Sequence, residues 1–344
     1  MSSGIVDFLQ TSSFEQLYTL AKMQGLTAFV WNEVKNNLEQ RNLDASSLPK
    51  GIKLRWALAA ENIVKQYHKR KELSFEFANE MASRGIQVYS LKGLSLSQYY
   101  PLPELRECGD FDCWMGKDFH RANSLATEIG ADYDPYDYRH SLITYKGLSI
   151  ENHRFFLVLR GNRRNKLLEE YLINIIASDK QIDGSNIFLP SSQFQALFTI
   201  LHMMHHFLYE NITLRHMLDW KYLIEKERDN VDWKEFNTKC TEAGVDKFVA
   251  AINQICIEHF DLDINGIGLT AETKYANKIW NDTLYQTALH SSGIENTWQQ
   301  RYIKLKNVIQ QRWKFNEVYD ISMFSSLMQT ANGIIFDRDV KFPL

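Results

Sequence analysis

The chain of 344 residues is 44% hydrophobic and 24% charged. That is the balance of a folded globular protein, long enough for about two domains, and it excludes intrinsic disorder. With 39 Lys plus Arg against 42 Asp plus Glu, the net charge of −3 gives no overall attraction to nucleic acid or to an anionic membrane. The cysteines Cys108, Cys113, Cys240 and Cys256 contain no CxxC pair, which argues against a structural zinc site or a disulfide framework. Reduced thiols in a cytoplasmic protein are the simpler reading.

Met1 to Ser13 has neither a basic start nor a long apolar core, so it does not read as a signal peptide. From there the pattern is helical. Ser12 and Ser13 are placed to cap a helix carrying Phe14, Leu17, Leu20 and Ala21. A second helix is predicted over Leu26 to Leu38. A long third one spans Lys53 to Arg84, stopped by Gly85.

The middle changes character. Ile86 to Leu91 reads as a strand ending at Lys92-Gly93, and Leu94 to Tyr100 as a short helix before Pro101. Asp110 to Met115 is predicted as a strand and Asp118 to Ile129 as a helix closed by Gly130. Arg139 to Tyr145 and Leu148 to Leu159 read as two strands turning at Lys146-Gly147. This β-α-β-α-β-β segment lies between helical regions.

No proline occurs between Pro190 and Pro343, so the remainder is predicted to be helical. Helices are expected over Gln193 to Tyr209, Arg215 to Arg228, Trp233 to Ala243 and Asp246 to Phe260. Two more follow around Ala271 to His290 and Thr297 to Phe315. The longest uncharged stretch, Gly184 to Tyr209, contains Pro190 and three His and does not read as a membrane span. The expected architecture is α+β, with a small mixed sheet flanked by helices and an all-helical C-terminal domain. The expected domains are a helical region at 1–85, an α/β core at 86–185 and a helical domain at 186–344.

The central chemical feature is Gly109-Asp110-Phe111-Asp112. On a strand Asp110 and Asp112 share one face while Phe111 turns to the core. Two carboxylates so spaced can hold divalent cations whose shell is completed by phosphate oxygens. Asp132-Tyr133-Asp134 and Asp261-Leu262-Asp263 repeat the pattern, but the first reads as a loop beside Pro135 and the second follows a helix end.

Context favours the Asp110 pair. Upstream, Leu91-Lys92-Gly93 sits at a strand-to-helix junction, where a glycine lets backbone N–H groups approach phosphates and Lys92 adds a positive charge. Downstream, Glu151 and His153 share a strand face, and Glu151 is a candidate third acid. His202 and His206 stand four apart on one helix with no third ligand evident, and are expected to be hydrogen-bonded histidines at the seam between domains. Arg154, Arg160, Arg163, Arg164 and Lys166 form a basic run that reads as a solvated turn. No Walker, Rossmann, nucleophile-elbow or aromatic RNA-binding signature is present.

Together, Leu91-Lys92-Gly93, Tyr100-Pro101, Arg106 through Asp112 and Ile150-Glu151-Asn152-His153 resemble the bacterial family of uncharacterised nucleotidyltransferases, part of the polymerase-beta-like superfamily. Leu201-His202, His205-His206 and Leu214-Arg215 through Trp220 extend the likeness, so that it covers roughly residues 50 to 260. In two places the chain departs from the wider pattern. Leu94 follows Gly93 where the superfamily has Ser, Ser95 coming one later, and Cys113-Trp114 replaces aliphatic strand residues.

The resemblance implies a nucleotidyltransferase-type sheet. It implies catalytic and metal-binding roles for Asp110, Asp112 and Glu151, with Mg²⁺ (or Mn²⁺) as cofactor. Lys92 and Gly93, with Ser95, would bind the nucleotide. Arg106, His153, His202, Arg215 and Asp219 are the candidates for substrate contact. The implied reaction moves an NMP from an NTP to an acceptor hydroxyl of unknown identity, releasing pyrophosphate. The rival is a non-catalytic binding or regulatory, antitoxin-like protein on the same fold.

Overall fold

A computed structural model describes residues 14–40, 49–134, 139–159, 163–285 and 311–319. The predicted cap at Ser12 and Ser13 and most of the predicted helix Thr297 to Phe315 lie outside the described residues. Two compact units result. One takes the described residues up to Phe156 together with Ile176–Ser191, and the other takes Leu157–Ile175 and those from Ser192 on.

The first unit opens with three helices, α1 (Phe14–Met23), α2 (Thr27–Gln40) and α3 (Lys50–Ala82). Along α3 the buried positions Ile52, Trp56, Ala60, Tyr67, Ser74, Phe77, Ala78 and Met81 recur at helical spacing and form one face. The Trp56 indole N–H donates to the Thr27 carbonyl at 2.9 Å, which fastens α3 to α2.

The sheet follows, with β1 (Val88–Ser90), α4 (Gly93–Ser97), β2 (Phe111–Trp114), α5 (Phe119–Glu128), β3 (Asp132–Asp134), β4 (His140–Tyr145), β5 (Leu148–His153) and, after a helix of the other unit, β6 (Ile187–Phe188). Its order is β3-β4-β5-β2-β1-β6. β2 runs parallel to β5 and β1 parallel to β6, and the other pairs are antiparallel. The mixed sheet and its flanking helices match the predicted α+β class.

The two sheet faces differ sharply. On one, Val88, Phe111, Cys113, Ile143, Tyr145 and Ile150 pack with Phe77 and Met81 of α3 and Ala122 and Ala126 of α5 in a single apolar cluster. Burial of this kind supplies most of the stability. One polar network crosses that face. Asn123 Oδ1 accepts from the Asn152 amide at 2.9 Å and from the Ser141 hydroxyl at 2.8 Å, so α5 holds β4 and β5 at fixed height. The β4–β5 turn has Lys146 at φ 49° and Gly147 at φ 82°, the left-handed pair that a two-residue hairpin requires.

Two local readings are corrected and one strand is new. Asp132-Tyr133-Asp134 is the edge strand β3, not a loop. All three residues are exposed, so its charged face carries no burial pattern, as is common for edge strands. Ile187–Phe188 forms a strand too short for any periodicity. Arg163, Arg164 and Lys166 open helix α6 (Arg163–Ile175) rather than a turn, and Arg160 lies outside the described residues.

In the second unit, α6 is followed by α7 (Ser192–Tyr209), α8 (Leu214–Glu227), α9 (Trp233–Ala243), α10 (Asp246–Phe260) and α11 (Thr273–Tyr285). The core gathers Phe194, Phe198, Phe207, Trp220, Phe236 and Phe248, all fully buried. Trp220 donates to Asn253 Oδ1 at 2.8 Å, and the Asn253 amide donates to the Thr270 carbonyl at 2.8 Å. Among the described residues no helix is long and apolar enough to cross a membrane.

Candidate active site

The face of the sheet opposite the apolar cluster carries the acids. Strand alternation turns Phe111 and Cys113 inward and therefore Asp112 and Trp114 outward, while Asp110 lies just before β2 and outside the Asp112–Glu151–His153 ligand group. The parallel register sets Asp112 against Glu151 and Trp114 against His153. The antiparallel register of β4 sets His140 against His153 and Leu142 against Glu151. One face of three neighbouring strands thus presents Asp112, Glu151, His153 and His140.

Asp112 is 4% exposed and is contacted by Lys92 and His153. The Lys92 ammonium donates to its Oδ1 at 2.6 Å, and His153 Nε2 lies 3.0 Å from the same oxygen. His153 Nε2 is also 3.6 Å from Glu151 Oε2, and His140 Nε2 is 3.7 Å from Glu151 Oε1. Asp112, Glu151 and His153 each offer a ligand atom, and these atoms all lie within 4.8 Å of one another. Among the described residues no other His, Cys, Asp or Glu group is assembled this way. Two carboxylates and an imidazole suit a divalent cation, the oxygens favouring Mg²⁺ and the nitrogen making Mn²⁺ equally acceptable. The residues therefore fit the metal that the resemblance implies.

Electrostatics separates the two aspartates. Burial, and then the charges of Asp112 and Glu151, push the Asp110 carboxyl above its ordinary range, with Lys92 opposing. Burial acts the same way on Asp112, but the Lys92 ammonium and the His153 hydrogen bond outweigh it and hold that carboxyl well below the usual range. Glu151 is lowered by the His153 imidazole beside it, against burial. His153 Nε2 and Asp112 Oδ1 share one hydrogen bond, while His153 Nδ1 meets no hydrogen-bond partner among the described residues. The D-x-D run contains no Lys or Arg, and Lys92, in the turn that follows the neighbouring strand β1, supplies a cation to Asp112.

The turn before α4 is tied to these acids by backbone. The Leu91 N–H donates to the Asp112 carbonyl at 3.0 Å. Gly93 has φ 36°, and a Cβ there would lie 3.3 Å from the Asp110 carbonyl oxygen and 3.7 Å from Cys108 Cβ. Both the left-handed backbone and the close approach call for glycine. Gly93→Ala should cost about 1–3 kcal/mol and displace Asp110. Urea unfolding of the variant checks the first, and loss of divalent-cation binding the second.

The remaining candidates are spread more widely. Ser95 is 1% exposed inside α4, its N–H donating to the Lys92 carbonyl at 2.7 Å. Arg106 is buried just before the D-x-D strand, and its guanidinium donates to the Glu107 carbonyl at 3.4 Å. His202, Arg215 and Asp219 belong to the helical unit. There the His202 and His206 rings lie 4.4 Å apart and His206 and His216 5.4 Å apart. His206 Nδ1 meets Glu210 at 2.5 Å, and His216 Nδ1 accepts from the Thr213 N–H at 3.0 Å.

One site residue was missed in the sequence. His140 heads β4, and only the pairing of β4 with β5 brings it beside Glu151. Its position two before Leu142 showed which face it shares, but not which strand would lie next to that face.

Residues 10–261 match the model of a family described as uncharacterised nucleotidyltransferase. The chain belongs to that family. The match begins well before the stretch in which the resemblance was visible, so α1 and α2 are part of the family's domain. It ends after α10. No curated protein and no solved structure matches the chain. The nucleotidyltransferase assignment thus rests on the family match.

Proposed function

We propose that this chain transfers an NMP from an NTP to an acceptor hydroxyl and releases pyrophosphate, with Asp110, Asp112 and Glu151 as its catalytic acids. The observation that carries the reading is the convergence of Asp112, Glu151 and His153 on one sheet face, in a chain of a nucleotidyltransferase family. Asp112 and Glu151, joined by Asp110 and by His153, would hold Mg²⁺ or Mn²⁺. When bound, the metal supplies charge neutralisation for the triphosphate and a lowered pKa for the attacking hydroxyl.

The protein's own groups divide the remaining work. Lys92, with the glycine turn at Gly93 and Ser95 behind it, faces the phosphates. Glu151 is 23% exposed against 4% for Asp112, so it is the acid open to an incoming acceptor. Its carboxylate, kept ionised by His153 and His140, takes up the hydroxyl proton at an Oε atom. Arg106, His202, Arg215 and Asp219 are assigned to substrate contact. A cytoplasmic setting fits the cysteines, which are all free among the described residues.

The non-catalytic, antitoxin-like reading draws on one observation, that Lys92 and His153 already satisfy Asp112 without a metal. Thermal melting with Mg²⁺ and each of the four NTPs separates the two. The transferase reading expects one NTP to raise the midpoint only when Mg²⁺ is present. No response to any Mg²⁺–NTP pair would favour the scaffold.

A further inference from the structure

We propose that Lys92 is a built-in substitute cation that holds Asp112 in the metal-free protein and is drawn away by nucleotide phosphates, so that metal and nucleotide bind as an interdependent pair. The proposal rests on the metal–nucleotide reading of the site. The ammonium contacts Asp112 Oδ1 at 2.6 Å, with the lysine side chain 18% exposed and the aspartate 4%. That oxygen is the one His153 approaches at 3.0 Å, and Asp112 belongs to the single ligand group found among the described residues.

Two cations cannot share that oxygen without strong repulsion in so enclosed a setting. Lys92 also feels Asp110 and Glu151, but a partly buried ammonium that gives up Asp112 to a metal gains from a further anion. The triphosphate is that anion. Lysine suits such an exchange, being a point charge on a flexible stem. The backbone beneath it is fixed by the Leu91–Asp112 hydrogen bond at 3.0 Å and the tight packing of Gly93 on Asp110, so only the side chain has to move.

Linkage then makes the effect mutual. Phosphates that remove Lys92 open Asp112 to metal, and metal that displaces Lys92 frees it for phosphate. Couplings of this type amount to about 5–150-fold in affinity. The site would stay closed to free divalent cations and be assembled only with the nucleotide.

The test is titration of the full chain with Mn²⁺ alone, reading free Mn²⁺ by its paramagnetic resonance signal. Lys92→Met should bind Mn²⁺ at least about tenfold more tightly than the wild type, and Lys92→Gln should do the same if the first variant folds poorly. Lys92→Arg, which keeps the charge, should stay near the wild type. If the neutral variants bind Mn²⁺ no better than the wild type, the substitute-cation role is overturned while the metal site stands. If none of the proteins binds Mn²⁺, both the inference and the metal-site reading fall.

Discussion

Asp110→Asn and Asp112→Asn should both abolish metal-dependent nucleotide binding yet move stability in different directions. Asp110 has its carboxyl raised by burial and by the charges of Asp112 and Glu151. A raised carboxyl contributes stability that is present at low pH and lost as pH rises through its folded value. At neutral pH an asparagine removes that loss, so the metal-free variant should melt at the same temperature or higher. Asp112 is the opposite case, its carboxyl held low by Lys92 and His153 against burial. Its contribution is present above the ordinary carboxylate value and is lost only as pH falls through the depressed one. Asparagine forfeits it at neutral pH and leaves Lys92 without its 2.6 Å partner, a cost of about 2–4 kcal/mol. Urea unfolding of both variants at pH 7 in a chelator reads the difference. Equal destabilisation of the two would contradict the charge assignment.

Glu151→Gln should lower transfer by about 10²–10⁴-fold, the usual worth of a general base, while costing little stability. The glutamate is the more open acid, 23% exposed, and its neighbours His140 and His153 lose only a contact of 3.6–3.7 Å. Nucleotide binding should survive better than turnover, because the triphosphate side of the site is held by Asp112 and Lys92. Steady-state kinetics with nucleotide affinity measured in parallel checks this. A variant that loses nucleotide affinity and turnover by the same factor would move Glu151 from the proton to the phosphates.

Much of this arrangement was legible in the residues. The β-α-β-α-β-β order, the Lys146-Gly147 turn and the described helices from Gln193 to Tyr285 follow from periodicity and from left-handed positions that glycine marks. The facing of Asp112 away from the Phe111–Cys113 core side follows from strand alternation alone. What the sequence could not show was pairing. β3 and β6 are exposed or too short to carry a pattern, and α6 begins with cations that read as solvated surface. His140 became a neighbour of Glu151 only through the β4–β5 register. The Lys92–Asp112 contact depended on which strand lay beside β2. Local patterns indicate faces, whereas long-range pairing decides which charges meet, and here it supplied the cation missing from the D-x-D run.

Nucleotidyl transfer differs from phosphoryl transfer in which phosphorus stays with the acceptor. The most direct measurement therefore compares NTPs labelled at the α- and γ-phosphates, each incubated with the protein, Mg²⁺ and a cell extract. The account predicts label on an acceptor from the α-position only, γ-label recovered as pyrophosphate, and neither in a chelator or with Asp112→Asn. Label delivered from the γ-position, or no label from any NTP at any position, would contradict it.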